Sequence, residues 1–516
     1  MYDPLPLQDR GRRPWRVRPV ALIAMLLLAI PAVTLAQASP DAVAAVTAVA
    51  DAVTPATPDT PATAAIDNGL TAWMLVSSAF VLLMVPGLAL FYGGMVRAKN
   101  VLNMFLCCMV AIGVVGLHWV IIGYAMAFPA NTPVLQVGGW NLLGFDSSLI
   151  MLGAFSGSEH MYRLLTSGDA SGAVPTGVPE LAFVMFQGKF AIITPALIVG
   201  AVAERVKFGP FVIFMLIWST LVYCPVAYNV WNVQGSLWTY GVLDFAGGTV
   251  VHVLAGVSAL ALTLVIGPRL GYGKNPMPPH SLGLTLIGAG LLWFGWFGFN
   301  AGSTIAIPGA ELPSFMGISA LAFANTQIAA AAAATAWMLV EWLHGGKPTI
   351  LGFASGMVAG LVTITPCAGH VQPGAALLCG AIGGGVCYFG CRLKNVFKYD
   401  DSLDAFGVHG IGGALGALLV GIFAFRPVEG GGEQFVKQAV GLGVSAVFAF
   451  VATYVIALVI HKTMGFRVSA SDEIEGLDIT VHGESGYNLT EPLGMSYDLT
   501  DEGHPDARGT KPAMAR

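Results

Sequence analysis

DFAGGTVVH, Asp244 to His252, and DAFGVHG, Asp404 to Gly410, are the two stretches on which the fold turns. Each closes a charged loop and carries a histidine into an apolar segment. An ionisable ring is costly inside a membrane span and usually marks a pathway or a proton relay. For a single residue, a packing hydrogen bond to a backbone carbonyl is the plainer account; two at matching places weigh toward a pathway. His252 falls in the fifth apolar run of the chain and His409 in the tenth, so five spans separate their hosts. An odd number of crossings reverses orientation, and the pair therefore predicts two inverted five-span halves whose equivalent residues meet at the midplane.

The solvent follows from composition. Of 516 residues only 10% are charged, against roughly 25% in soluble domains, and the mean hydropathy is +0.73. Runs of about 20 apolar residues, enough to cross ~30 Å of hydrocarbon, lie near 71 to 96, 101 to 127, 181 to 203, 208 to 231, 245 to 267, 281 to 307, 314 to 342, 350 to 366, 374 to 391, 403 to 425 and 436 to 461. The expectation is an all-α polytopic membrane protein with eleven transmembrane helices: two inverted five-helix halves plus a final helix.

Residues 1 to 38 read as a signal peptide, with Arg10, Arg12, Arg13, Arg16 and Arg18 before VALIAMLLLAI and a small-residue cleavage site at Ala36-Gln37-Ala38; an uncleaved anchor is the alternative. Residues 39 to 66, rich in Ala, Pro and Thr, read as a disordered linker. The eleven-span membrane body then covers 67 to 465, and 466 to 516 form a polar C-terminal tail. With the N-terminus outside, twelve Lys and Arg fall in cytoplasmic loops, among them Arg97, Arg205, Arg269 and Lys394, against Arg163, Arg426 and Lys437 outside. That bias agrees with the positive-inside rule and places the C-terminus in the cytoplasm. The acidic tail, with Asp472, Glu473, Glu475, Asp478 and Glu484, is a candidate docking surface.

Several classes are excluded. The seven cysteines form no two-pair metal spacing and read as small buried residues, so no metal or other cofactor is expected. A net charge of -5 without a basic patch outside the loops argues against nucleic acid. No HExxH is present, and neither His252 nor His409 has a carboxylate in ligand spacing on its own helix, so an enzyme is not expected. Glycines at three- and four-residue intervals in GAGLLWFGWFGFNAG and GVHGIGGALGALLVG let helix backbones approach closely in lipid.

Aromatic residues gather near the two motifs. Phe186 and Phe190 stand one turn apart in FQGKF, Trp231 ends the fourth span, and Trp296, Phe299 and Ser303 fall in GWFGFNAGS. They read either as interfacial belt residues or as a cation-π cup for a small cation. Asp244 either attracts cations or caps its helix through the Thr249 hydroxyl and nearby glycine amides.

FYGGMVRAKNVL, FQGKFAIITPALIVGAVAERVKF, DFAGGTVVH, GWFGFNAGS, DAFGVHGIGG and EGLDITVHGESGYN, taken in order from about residue 68 to 487, resemble the ammonium transporter family, in its bacterial Amt branch. The resemblance implies transmembrane transport of ammonium or ammonia, with methylammonium as an analogue, by a homotrimer in the lipid bilayer of the cell inner (plasma) membrane. It implies that Phe186, Trp231 and Ser303 recruit the cation and that Phe190 and Phe299 stack as a gate. His252 and His409 would be the paired imidazoles, and Asp244 the structural and electrostatic acid. Trp296, Tyr92 and Thr365 match positions near the pore. A cytoplasmic PII-type signal protein would dock on the inner face. An Rh-type neutral gas channel and an ammonium sensor keeping the same fold are the rival readings. Lys189, between the two phenylalanines, departs from the pattern, and a helix turns it about 100° from Phe190. So does the outer loop from 144 to 180, longer than a compact vestibule needs.

Overall fold

A computed structural model describes residues 66–130, 134–155, 164–167, 174–306, 312–428 and 430–487. The leader over 1 to 38, nearly all of the linker and the chain beyond Tyr487 lie outside the described residues. Among the described residues, ten helices are long and apolar enough to cross a membrane. They are α1 (Asn68–Met95), α2 (Ala98–Ala127), α3 (Glu180–Val202), α4 (Phe208–Tyr240), α5 (Gly248–Ile266), α6 (Leu282–Thr304), α7 (Met316–Gly345), α9 (Pro373–Phe397), α10 (Phe406–Phe423) and α11 (Gly432–Thr463). Between α7 and α9 lies the shorter apolar helix α8 (Ile350–Ile364). The eighth expected span ends early because Pro366, which has no N–H to give, follows its last turn.

Local signals set the ends. The side chains of Asp67, Ser281 and Thr349 accept amide hydrogens from the first turns of α1, α6 and α8, satisfying donors a helix cannot use internally. In its most apolar stretch α3 is 89% buried, whereas α2 and α11 are each 33% buried, so α3 runs through the middle and the other two line the outside. Two short hairpins, β1 (Leu135–Val137) with β2 (Trp140–Leu143) and β3 (Leu164–Ser167) with β4 (Val174–Pro179), sit between α2 and α3 on one face. The second hairpin accounts for part of the long loop expected from 144 to 180.

The histidine-bearing helices cross at small residues. A Cβ on Gly256 of α5 would overlap the backbone of Gly410 in α10, and one on Gly413 would reach 2.9 Å from the Cβ of His252. Each helix also opens into a π-helical turn at its histidine, Gly248–Val253 in α5 and Phe406–Gly410 in α10. Such turns recur at functional sites because the extra residue re-aims side chains.

The opposite face carries the tail, as α12 (Ala470–Glu475) and α13 (Leu477–His482). Its acids are mostly turned inward. Glu473 pairs with Arg467 at 2.7 Å and accepts the Leu270 N–H at 2.6 Å. Asp478 accepts the Asn103 N–H at 2.8 Å, capping the start of α2 from far along the chain. Asp472 closes a capping box with Ser469. Of the five acids read as a docking surface, Glu475 and Glu484 are the exposed ones; the other three go to helix ends and an arginine. Asp478→Ala removes the side-chain bond to Asn103 N–H and should lower the melting temperature in detergent by a few degrees, the effect of losing a cap worth ~1 kcal/mol; an unchanged melt would refute the cap.

A buried charge network ties the loops on this face. Arg97 pairs with Glu204 at 2.8 Å, Arg269 with Glu204 at 3.1 Å and with Asp400 at 2.9 Å, and Arg205 with Asp400 at 3.7 Å. Burial pushes the Glu204 and Asp400 carboxyls up, but their arginine partners pull harder and hold both below the usual carboxylate range. A lowered folded pKa gives stability that is present above the ordinary carboxylate pKa and lost as pH falls through the lowered one. Thermal melts in detergent should hold between about pH 7 and 5 and drop as pH falls below about 4, and Glu204→Gln should flatten that drop.

Candidate functional site

The elements above bring His252 and His409 into contact at the centre of the bundle. Their rings stack with centroids 5.3 Å apart and the two Nδ1 atoms 3.3 Å apart. A shared Nδ1 hydrogen bond between neutral imidazoles puts one donor and one acceptor in the middle and leaves one Nε2–H donor and one bare Nε2 acceptor outward. The pair therefore offers both polarities to a small polar molecule. Among the described residues His252 Nε2 is buried with no partner.

Both histidines line a narrow cavity with room for about one water-sized molecule at a time. The rest of its wall is Met84, Leu88 and Phe91 from α1, Ile193 and Leu197 from α3, Val251, Leu292, Trp296, Phe299 and Val358. Apart from the imidazoles, the Trp296 indole N–H is the one polar side-chain group in that wall, and it donates to Thr365 Oγ1 at 2.8 Å. Trp296 in turn stacks on His252 at 5.3 Å. Thr365 thus holds the tryptophan and does not itself line the cavity. Tyr92 does not line it either; its hydroxyl donates to the Leu197 carbonyl at 3.1 Å.

One end of the cavity is shut by Phe299, which stacks on Phe190 with centroids 4.1 Å apart and planes 27° apart. Beyond this pair, toward the hairpin face, lie the remaining aromatics. Phe190 meets Phe186 edge-on at 4.9 Å and Trp231 at 5.9 Å. One ring thus packs against both the cavity-closing Phe299 and the outer aromatics, a juxtaposition that spacing along the chain does not reveal. Ser303 Oγ donates to the Phe299 carbonyl at 2.8 Å, and its oxygen keeps acceptor capacity. Trp231 Nε1 donates to the Asp244 carbonyl at 3.0 Å. Lys189 on α3 is half-buried between the two phenylalanines in sequence.

Asp244 is a helix cap. Its carboxylate accepts the N–H groups of Gly247, Thr249 and Val250 at 3.2, 3.1 and 3.0 Å, while the Thr249 hydroxyl expected to help is buried without a partner. Burial raises its carboxyl to about 6 against the pull of those amides. Its counterpart is Asp401, not the Asp404 that opens the shorter motif. Asp401 accepts the Ala405 and Phe406 N–H groups at 3.0 and 2.8 Å and precedes His409 by the same eight residues that part Asp244 from His252. Asp404 instead pairs with Lys394 at 2.7 Å. Capping aspartates eight residues before each histidine were the signal that the motif comparison passed over.

A bundle of membrane-crossing helices, with an apolar cavity closed at one end by stacked aromatic rings and lined by two touching imidazoles, defines a small-solute transporter or channel. The chain belongs to the ammonium transporter family, whose model, Ammonium Transporter Family, matches residues 72–487. It is 44% identical over 82% of its length to a putative ammonium transporter of Methanothermobacter thermautotrophicus, covering 100% of that protein. It is 42% identical over 81% of its length to an ammonium transporter of Bacillus subtilis, covering 98% of that protein. Among solved structures, Saccharomyces cerevisiae Mep2 superposes with a TM-score of 0.68 at 31% identity, over 80% of this chain and 92% of that one. A structure described as Sensor Amt Protein superposes at 0.69 and 26% identity, over 80% of this chain and 97% of that one. The protein is a multi-pass membrane protein that transports ammonium.

Proposed function

We propose that ammonium is held as the cation at Phe186, Phe190, Trp231 and Ser303, gives up its proton there to solvent water on the same side, and passes the Phe190–Phe299 gate as ammonia to the His252–His409 pair. The carrying observation is the change of chemistry at that gate: ring faces and a hydroxyl on one side, an almost wholly apolar wall on the other. A bare cation in such a wall faces an idealised desolvation cost of tens of kcal/mol, whereas neutral ammonia faces far less. Cation-π attraction selects the ion before the proton leaves. Asp244 supports the site by fixing the start of α5 and the Trp231 indole.

The same reading counts α8, extended by the turn through His370, as a crossing. That gives eleven crossings in two inverted five-helix halves plus α11, with the N-terminus outside and the tail in the cytoplasm. The matched capping aspartates, π-turns and histidines of α5 and α10 support the inversion. Residues 1 to 38 act as leader and 39 to 66 as linker, ahead of a transporter body over 67 to 465 and a tail over 466 to 516. The protein works as a homotrimer in the inner membrane, without catalysing a chemical conversion, and a PII-type protein docks on the tail face. A sensing role, suggested by the Sensor Amt Protein likeness, would show as a lost downstream response with uptake intact.

The cup is tested by labelled methylammonium uptake into liposomes. Trp231→Leu and Ser303→Ala should each raise the half-saturating concentration, the former by roughly twofold to thirtyfold for a cation-π face worth ~0.5 to 2 kcal/mol. Unchanged concentration dependence in both would remove the recruitment role.

A further inference from the structure

The loop that carries Asp244 is gripped by a helix that stands outside the repeated halves. On α11, Gln438 is 1% exposed. Its Oε1 accepts the Leu243 N–H at 2.7 Å, and its Nε2 donates to the Leu243 carbonyl at 2.7 Å and to the Ala417 carbonyl of α10 at 3.0 Å. One turn earlier, Gln434 Nε2 donates to the Gly241 carbonyl at 2.9 Å and to Gln438 Oε1 at 3.2 Å. A primary amide is the one neutral side chain that can give and accept a hydrogen bond on adjacent atoms, so Gln438 closes on both backbone groups of Leu243 as a neighbouring strand would.

The next residue is Asp244. Its carbonyl receives the Trp231 indole N–H at 3.0 Å, and that ring stands 5.9 Å from Phe190. The path from Gln438 to the cup is therefore Leu243 backbone, Asp244 carbonyl, indole N–H. The corresponding loop before α10 is held quite differently, through Ser402 N–H on the Ala201 carbonyl, Leu403 N–H on the Gly200 carbonyl and Arg205 on the Asp400 carbonyl. The two loops have matching aspartate caps but different anchors, and only the anchor on α11 leads to the cation site.

We propose that Gln438 is a positioning residue for cation recruitment: by fixing Leu243 it sets the Asp244 carbonyl that orients Trp231, and so tunes how tightly ammonium is held without touching it. The proposal rests on the cup reading above. It explains why the amide should be a glutamine, since a shorter or apolar side chain cannot reach both groups of Leu243.

The test is uptake of labelled methylammonium into liposomes with purified Gln438→Leu, Gln438→Glu, Trp231→Leu and the Gln438→Leu/Trp231→Leu double variant, beside trimer yield and thermal melts. Gln438→Leu should raise the half-saturating concentration by roughly threefold to tenfold, with maximal uptake within about twofold, because a loosened indole costs part of the cation-π contact. Gln438→Glu keeps the acceptor for Leu243 N–H and should fall between wild type and Leu; it supplies the readout if the leucine variant does not assemble. In the Trp231→Leu background, Gln438→Leu should add nothing to the half-saturating concentration. A shift in Trp231→Leu with none in Gln438→Leu, or in Gln438→Glu if that variant alone assembles, overturns the positioning role and leaves the cup standing. Equal loss of maximal uptake and melting temperature with unchanged half-saturation also overturns it, making Gln438 a packing residue. No shift in Trp231→Leu overturns the cup itself, whatever Gln438 does.

Discussion

His409→Ala and His252→Ala should each keep the assembly state of the wild type and lose the preference for ammonium over potassium by about tenfold or more, the factor set by losing a buried hydrogen-bond partner worth ~1.5 kcal/mol or above. The reason lies in the wall of the cavity, where the two imidazoles supply nearly all the polarity. Removing one ring breaks the 3.3 Å Nδ1 contact and leaves the other imidazole without its partner. It also opens volume beside an apolar path, so that hydrated ions meet a wider tube with less chemical discrimination. Trimer yield by size-exclusion chromatography separates this outcome from misfolding, and ammonium-driven and potassium-driven flux are compared in the same liposomes. Normal ammonium flux with intact potassium exclusion in both variants would return the histidines to a packing role.

The second large effect is structural. Gly256→Val should abolish assembly of the folded protein, or yield protein without uptake, because its side chain would have to occupy the backbone of Gly410 where α5 and α10 cross. Backbone cannot step aside as a flexible side chain can, and overpacking that costs ~1 to 3 kcal/mol at an ordinary core site is a lower bound here. Gly113→Val and Gly290→Val are the controls, since nothing lies within 4 Å of the Cβ at either position. Expression in detergent with a monodisperse trimer peak is the readout. Near-normal yield and uptake for Gly256→Val would mean that the close crossing is not what holds the histidines together.

Much of this was legible from the chain. Spans could be read because lipid demands long apolar runs, and the ten long helices follow the expected runs to within several residues, apart from the longer extension of α4 through Tyr240. His252 and His409 could be read because an ionisable residue within such a run stands out. The pairing of Asp244 was misread, since Asp404 lies nearer its histidine in a similar-looking stretch, while the capping role that identifies Asp401 is a property of backbone amides. Cavity residues such as Leu88, Ile193 and Val358 could not be singled out: a leucine facing a pore, a neighbouring helix or lipid looks the same in sequence. Gln438 was silent for the opposite reason, because a glutamine near the polar start of a peripheral helix carries no motif and its partners at Leu243 are backbone atoms 195 residues away.

The central claim is that the cation is recognised on one side of the aromatic gate and that only a species able to lose a proton goes further. Potassium tests it most directly, being a monovalent cation of similar size to ammonium with no proton to give. Wild-type protein in liposomes, given equal inward gradients of ammonium and potassium, should pass nitrogen readily and potassium at background, at every membrane voltage applied. Potassium flux comparable to that of ammonium would contradict the account, because an intact cation would then be crossing the apolar cavity between Phe299 and the two histidines.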